Sequence, residues 1–158
     1  MKDRFSNDDF KDLSWHDNHL YGISWKVGGK SDISDLILDI DHICEWLCDK
    51  TKRTCSFKVA PATLTFHGIT DLKMHMDWGD SGFQTSHVGG TPILEIKREL
   101  VREQKVYFDR PYYQWRIQLA SPHQKSFVSF GAWGFTMVLR KAPIPIQQQY
   151  LPLDERGS

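Results

Sequence analysis

Residues 112–140, YYQWRIQLASPHQKSFVSFGAWGFTMVLR, hold two apolar runs separated by a polar turn, ASPHQK, at residues 120–125. The first run alternates. Tyr113, Trp115, Ile117 and Leu119 fall on one side, and Gln114, Arg116 and Gln118 on the other. A period of two sustained over that length belongs to a half-buried β-strand. The second run breaks the alternation: Phe127, Trp133, Phe135, Met137 and Leu139 share one parity, Val128, Phe130, Ala132 and Val138 the other. Such a strand is covered on both faces or changes face at a bulge. Gly131 and Gly134 are where the backbone can make that adjustment. The two runs predict a central hairpin that carries much of the core. Trp115, Ile117, Leu119, Phe135, Met137 and Leu139 are expected inside, with Arg116 and Gln118 on the face opposite Trp115.

The remaining strands follow from the same rule. Residues 20–27 read as a strand that ends at the turn cluster GGKSD, 28–32. Residues 55–66, CSFKVAPATLTF, read as a strand in which Pro61 removes a ladder donor, so an edge position, a bulge or a break is expected there. Residues 71–78 set Leu72, Met74, Met76 and Trp78 against Lys73, His75 and Asp77. Two segments stay open between helix and strand. In residues 33–50, Ile33, Leu36, Ile37, Ile40, Ile43, Cys44 and Leu47 fit a helix, whereas the β-branched string LILDIDHI favours a strand. In residues 92–101, Ile93, Ile96 and Leu100 also fit either type. Residues 79–91, GDSGFQTSHVGGT, read as a long mobile loop.

The expected class is mainly β, or α+β if either open segment is helical. The architecture is an antiparallel curled sheet, sandwich or open barrel of about seven or eight strands, with at most one or two helices. A chain of 158 residues suits a single domain, 1–158, with its own core. Residues 1–12 are expected as a loose N-terminal arm and residues 142–158, with three prolines, as an extended C-terminal tail.

The formal net charge is zero, which gives no reason to expect nucleic acid or an anionic membrane as partner. Residues 1–50 hold eleven acids and six bases, a net of −5 balanced by later bases, and pairing of early with late strands mixes the two. The polar start, MKDRFSNDDFKD, is unlike a secretory signal, and no apolar run approaches the roughly 20 residues of a membrane helix. A cytoplasmic protein without membrane association is therefore expected. In that setting Cys44, Cys48 and Cys55 are expected as reduced thiols, and without a tight C-x-x-C pair they are not expected to carry a metal.

The candidate site is the polar stretch His16-Asp17-Asn18-His19 ahead of a strand, with Asp39, Asp41 and His42 downstream. Imidazoles and carboxylates together can bind a divalent metal or move protons. The spacing matches no zinc signature, so Asp17 as a turn cap competes with a chemical role. Trp15 is expected to anchor the stretch. Trp15, His16, Asp17, His19, Asp39 and Asp41 are thus expected at the edge of a pocket, with no catalytic residue, metal or cofactor assigned. Gly79-Asp80-Ser81-Gly82 is not a nucleophile elbow, and Gly28-Gly29-Lys30-Ser31 lacks the first glycine of a phosphate loop. Tyr112, Tyr113, Trp115 and Arg116 could stack bases, but their alternation already explains them as core and outer face.

The strings SWHDNHLYGISW, LILDIDHICEW, VAPATLTFHGITDLKM, YYQWRIQLA and VSFGAWGFTMVLR together resemble a family of small, uncharacterised bacterial proteins, over residues 13–140. The W-H-D motif ahead of a strand is loosely similar to some immunity proteins of bacterial toxin systems. The resemblance implies no established activity and carries over no catalytic residue. It implies a strand over residues 36–46 and a bacterial cytosol. The leading expectation is a non-enzymatic protein-binding module, immunity-like in kind, whose partner is another protein. A small-ligand-binding β cavity lined by Trp and Met, and a metal-dependent or acid–base enzyme using the His/Asp set, are the alternatives. An exposed aromatic patch at an edge strand, an enclosed apolar pocket, or converging His and Asp side chains would separate the three.

Overall fold

The alternating run becomes the strand β7 (Tyr113–Leu119), with Trp115, Ile117 and Leu119 fully buried and Arg116 exposed on the opposite face. The structure, a computed structural model, describes residues 2–28, 33–79, 91–103, 110–121 and 126–157. Among these, the other strands are β1 (Arg4–Ser6), β2 (His19–Val27), β3 (Ser34–Asp49), β4 (Thr54–His67), β5 (Thr70–His75), β6 (Thr91–Leu100), β8 (Phe127–Ala132), β9 (Gly134–Leu139) and β10 (Ile144–Ile146). A single turn of helix, α1 (Leu153–Arg156), and a 3-10 turn at Asn7–Asp9 complete the elements. The loop expected at residues 79–91 lies, from residue 80 to 90, outside the described residues.

All pairing is antiparallel, in the order β1-β9-β4-β3-β2-β6-β7-β8-β5, with β10 added to β4. The path does not return on itself, so the sheet is curled but not closed into a barrel. It folds into two layers. β1, β9, β4, β3 and β2 form one and β6, β7, β8 and β5 the other, joined edge to edge only where His19 and Leu20 of β2 pair with Pro92 and Thr91 of β6. The core fills the space between: Phe66 of β4 meets Trp115 at 4.9 Å and Phe130 of β8 at 4.8 Å between ring centroids.

The mixed parity of the second run has a simple origin. β8 buries Val128, Phe130 and Ala132, whereas β9 buries Phe135, Met137 and Leu139. The run breaks at Trp133, β8 stays beside β7, and β9 crosses to the other layer beside β4. The expected hairpin is therefore β7–β8 alone. The turn after β4 is packed against this corner. Gly68 has φ 65°, and the Trp133 ring lies where a side chain on residue 68 would have to go.

Both open segments are strands. β3 turns Leu36, Leu38, Ile40 and His42 inward, and a bulge at Cys44 shifts the register after Ile43. Burial on both faces is what imitates a helical stripe there. β4 runs unbroken through Pro61 in the middle of the sheet, against the expectation of an edge or break. The Pro61 carbonyl accepts from the Arg140 amide (2.8 Å), so its missing N–H points to that same side. There the pairing with β9 has ended at Ala62 and that with β10 has not begun at Val59, so no ladder bond is lost.

Three further expectations are corrected. The N-terminal arm is not loose: β1 pairs with β9, and Asn7 accepts from the Phe135 amide (3.1 Å) and donates to the Trp133 carbonyl (3.0 Å). Phe10 then packs on Trp115 (5.4 Å), Trp15 (5.9 Å) and Phe135 (6.1 Å), so burial of one aromatic ring orders the segment. The C-terminal tail is extended through β10, but it ends docked, with Leu151 and Arg156 buried. Finally, Cys48 and Cys55 are not free thiols. They face each other across β3 and β4, with Cα atoms 4.1 Å apart, and form a disulfide that leaves Cys44 as the free cysteine.

Two measurements check this arrangement. Trp115→Ala removes the ring shared by both layers and should cost about 3–5 kcal/mol in denaturant unfolding. Thiol titration of the unfolded, unreduced protein should count one thiol, Cys44, and a count of three would return the cysteines to the reduced state.

Candidate functional site

Residues 14–19 cross from the core to the surface in one turn. Trp15 faces inward, against Phe135 (5.7 Å) and the His42 ring (6.2 Å), as the expected anchor of the stretch. Its Nε1 is buried without a hydrogen-bond partner among the described residues. Asp17 takes φ 64°, an uncommon conformation for a non-glycine residue, which lets the chain turn sharply outward and back. Its amide donates to the Ile93 carbonyl (2.8 Å). Its carboxylate meets His16 Nδ1 (2.9 Å) and accepts from Gln149 Nε2 (2.9 Å). His16 itself is exposed.

The buried residue of the stretch is Asn18, which carried no role in the sequence reading. Its Nδ2 donates to the Ser14 carbonyl (3.1 Å) and lies 3.0 Å from His42 Nδ1, and its Oδ1 accepts from the Ile43 amide (2.9 Å). These bonds lock the stretch onto β3. Burial pushes the His42 imidazole down to about 4, so it is neutral at pH 7 and able to accept from Asn18.

Asp39 and Asp41 sit two apart on the outward face of β3, opposite the core. Asp41 is fully buried all the same. It accepts from the Leu151 amide (2.7 Å), from Tyr21 Oη (3.1 Å) and from Arg156 Nη1. Asp39 accepts from Arg156 Nη2 (2.6 Å) and Arg140 Nη2 (2.6 Å). The Arg156 guanidinium carbon stands 3.6 Å from the centre of the Tyr21 ring. Desolvation, with the Asp41 charge adding to it, raises the Tyr21 hydroxyl well above its ordinary pKa. His19 packs on Tyr150 (4.8 Å), and burial lowers its pKa against the opposing pull of the Asp17 carbonyl and Asp41.

The predicted residues therefore gather, with one exception: Trp15 faces the core. Asp17, His19, Asp39 and Asp41 line the seat of the C-terminal arm, which supplies Gln149, Tyr150, Leu151 and Arg156, and exposed His16 meets Asp17 beside it. Below the arm, Leu151, Ile144 and Ile146 cover Ile43, Phe57 and Val59 on the outer face of the sheet. The carboxylates are engaged by arginines, and among the described residues no group of three His, Cys, Asp or Glu side chains could hold a metal ion. Arg156 gave no signal in the sequence, because its partners lie more than a hundred residues away.

A second polar cluster joins three strands. His67 Nδ1 meets Asp35 Oδ2 (3.2 Å) and His67 Nε2 meets Thr136 Oγ1 (2.8 Å). Carboxylate, imidazole and hydroxyl follow the order of a proton relay. Asp35 also accepts from the Gly68 amide (3.0 Å), so the cluster closes the turn between β4 and β5. Cys44 is exposed as a residue, yet desolvation pushes its thiol up to about 11, so it is not a thiolate at neutral pH.

An apolar opening lies elsewhere. Ile23, Trp25 and Val27 of β2 pair with Leu38, Leu36 and Ser34 and so share the inward face, but no described residue buries Trp25 or Val27. Trp25 is 61% and Val27 67% exposed. Nearer the start of β2, Leu20 and Ile23 line a groove of about 250 Å³ with Met74, Met76 and Trp78. Among the described residues, β2 is paired on this side only at His19 and Leu20. No helix among them is long and apolar enough to cross a membrane.

Compared with protein-family models, curated proteins and solved structures, the chain gives no match.

His42 generates a pH prediction. Its native-state pKa lies below the ordinary value of 6.5, so the unfolded chain binds the extra proton first. The contribution is complete above pH 6.5 and is lost as pH falls towards 4, on the order of 3 kcal/mol in all. Urea unfolding from pH 7 to 4 should show this loss, and His42→Gln should flatten it.

Proposed function

We propose that this chain is a non-enzymatic protein-binding module of a bacterial cytosol, immunity-like in kind, and that it binds its partner through the open mouth between β2 and β5. The observation that carries the reading is the exposed apolar wall of Trp25, Val27, Met74 and Trp78. A contiguous apolar surface beside an open strand edge is what a protein partner covers. The groove volume, about 250 Å³, falls below the roughly 300–1,000 Å³ typical of small-ligand sites, which favours a protein over a ligand as occupant. The engagement of Asp39 and Asp41 by arginines weighs against metal-dependent or acid–base chemistry there. The zero net charge favours neither nucleic acid nor an anionic membrane as a partner. The Cys48–Cys55 disulfide is the observation that weighs against the cytosol, since such bonds persist in oxidising compartments.

A photo-crosslinking residue at position 25 tests the reading in living bacteria, with position 116, exposed on the other layer, as control. One discrete adduct is expected from 25 and none from 116. Trp25→Ser and Trp78→Ser should change unfolding free energy by less than about 1 kcal/mol, as exposed positions do, while Trp78→Ser weakens the adduct formed from position 25. If both substitutions destabilise like core changes, the wall belongs to the fold and the proposal fails.

A further inference from the structure

The seat of the C-terminal arm has two unequal halves. Asp39, Asp41 and Tyr21 stand on paired strands, where the ladder sets His19 opposite Asp41 and Gly22 opposite Asp39. Strand pairing, not the arm, sets the backbone positions of these groups. The arm contributes the other half from its single helical turn, Leu153–Arg156. It inserts one guanidinium and one backbone amide.

The geometry points to a guanidinium-binding site formed by Asp39, Asp41 and Tyr21, which Arg156 fills in cis and which takes an arginine from an extended segment of a partner protein when the arm lifts. The chemistry selects arginine. Nη1 and Nη2 reach two different carboxylates while the plane lies on the Tyr21 ring. A lysine ammonium is a point charge and cannot span both acids from one position. With the arm seated Asp41 is fully buried, so removing the Arg156 guanidinium alone leaves a covered carboxylate without its main counter-charge and favours a replacement cation. The carboxylates lie on the outward face of β3, and Tyr21 also borders the apolar mouth; changes at Arg156 and Asp41 leave the residues lining that mouth in place, so the two proposals are tested separately.

The test empties the site and refills it. Arg156→Gly in the full chain should melt roughly 5–15 °C lower than the wild type. Methylguanidinium chloride, kept below the concentration that affects the wild type, should recover part of that loss along a saturating curve. Methylammonium chloride at equal concentration should not. Adding Asp41→Asn should abolish the recovery. The peptide QYLPLDERG, copied from the arm, should bind Arg156→Gly in calorimetry, and its Arg→Lys form at least tenfold more weakly. If Arg156→Gly does not fold, Arg156→Met, which keeps the apolar stem over Tyr21, carries the same titrations. Equal recovery by both cations, recovery that survives Asp41→Asn, or equal binding of the two peptides would overturn the site.

Discussion

Trp115 is the contact on which both layers depend. Its ring meets Phe66 of β4 at 4.9 Å, Phe135 of β9 at 6.0 Å and Phe10 of the N-terminal segment at 5.4 Å. Its Nε1 donates to the Ala132 carbonyl (3.1 Å), so the large ring is buried without an unpaired donor. Each aromatic pair adds about 0.5–1.5 kcal/mol beyond burial, and here several converge on one side chain. The rest of the topology serves that junction. β8 and β9 must separate at Trp133 so that Phe130 stays on the strand beside Trp115 while Phe135 meets its ring from the other layer. Phe10 closes the end, under the Arg98 guanidinium at 4.4 Å. This is why a polar N-terminus with two isolated phenylalanines is ordered rather than loose.

What could be read from the residues was what repeats locally. The alternation of Tyr113 to Leu119 needs no knowledge of the partner strand, and it gave the core residues and the mainly β class correctly. The parity change between Phe130 and Phe135 was legible as a bulge or change of face, but not as a change of layer, because a strand's neighbours leave no local mark. Residues 33–50 left helix and strand open, leaning to the strand that forms: inward Leu36, Leu38 and Ile40 are buried, outward Ile43 is buried and Ile37 half-buried, and two apolar faces imitate a helix. Whether His16, Asp17, His19, Asp39 and Asp41 converge was left open by their spacing; the pairing of His19 with Asp41 sets the start of β2 beside the middle of β3. The arm that joins them was illegible, since Arg156 and Gln149 find partners only through the finished fold. Cys48 and Cys55 were misjudged because a disulfide was weighed by compartment and not by hairpin register.

Consecutive residues of β3 show two solutions to burying a polar side chain. His42 points inward and stays neutral, because desolvation makes the charged form costly, and the Asn18 amide supplies its hydrogen bond. Asp41 points outward, is covered by the arm, and is met there by a guanidinium, a hydroxyl and an amide. The stretch from Trp15 to His19 touches both solutions. Asn18 holds His42, Asp17 holds Gln149, and His19 holds Tyr150. The concentration of polar groups that looked like a site is thus a joint between the core, the sheet and the arm.

β2 divides at that joint. Its first two residues pair on both sides and carry the polar junction, while further along no described residue buries Trp25 or Val27. Leaving a large apolar side chain in water forgoes about 1.5–3 kcal/mol relative to burying it. Trp25, Val27, Met74 and Trp78 together forgo several kcal/mol, a sizeable part of the roughly 5–15 kcal/mol that holds a domain folded. Single exposed apolar residues are ordinary, but several of them on and beside one groove are not. Polar replacements at these positions would leave Trp115 and its neighbours untouched. The core therefore gives no reason for the apolar wall, and the proposed partner would supply one.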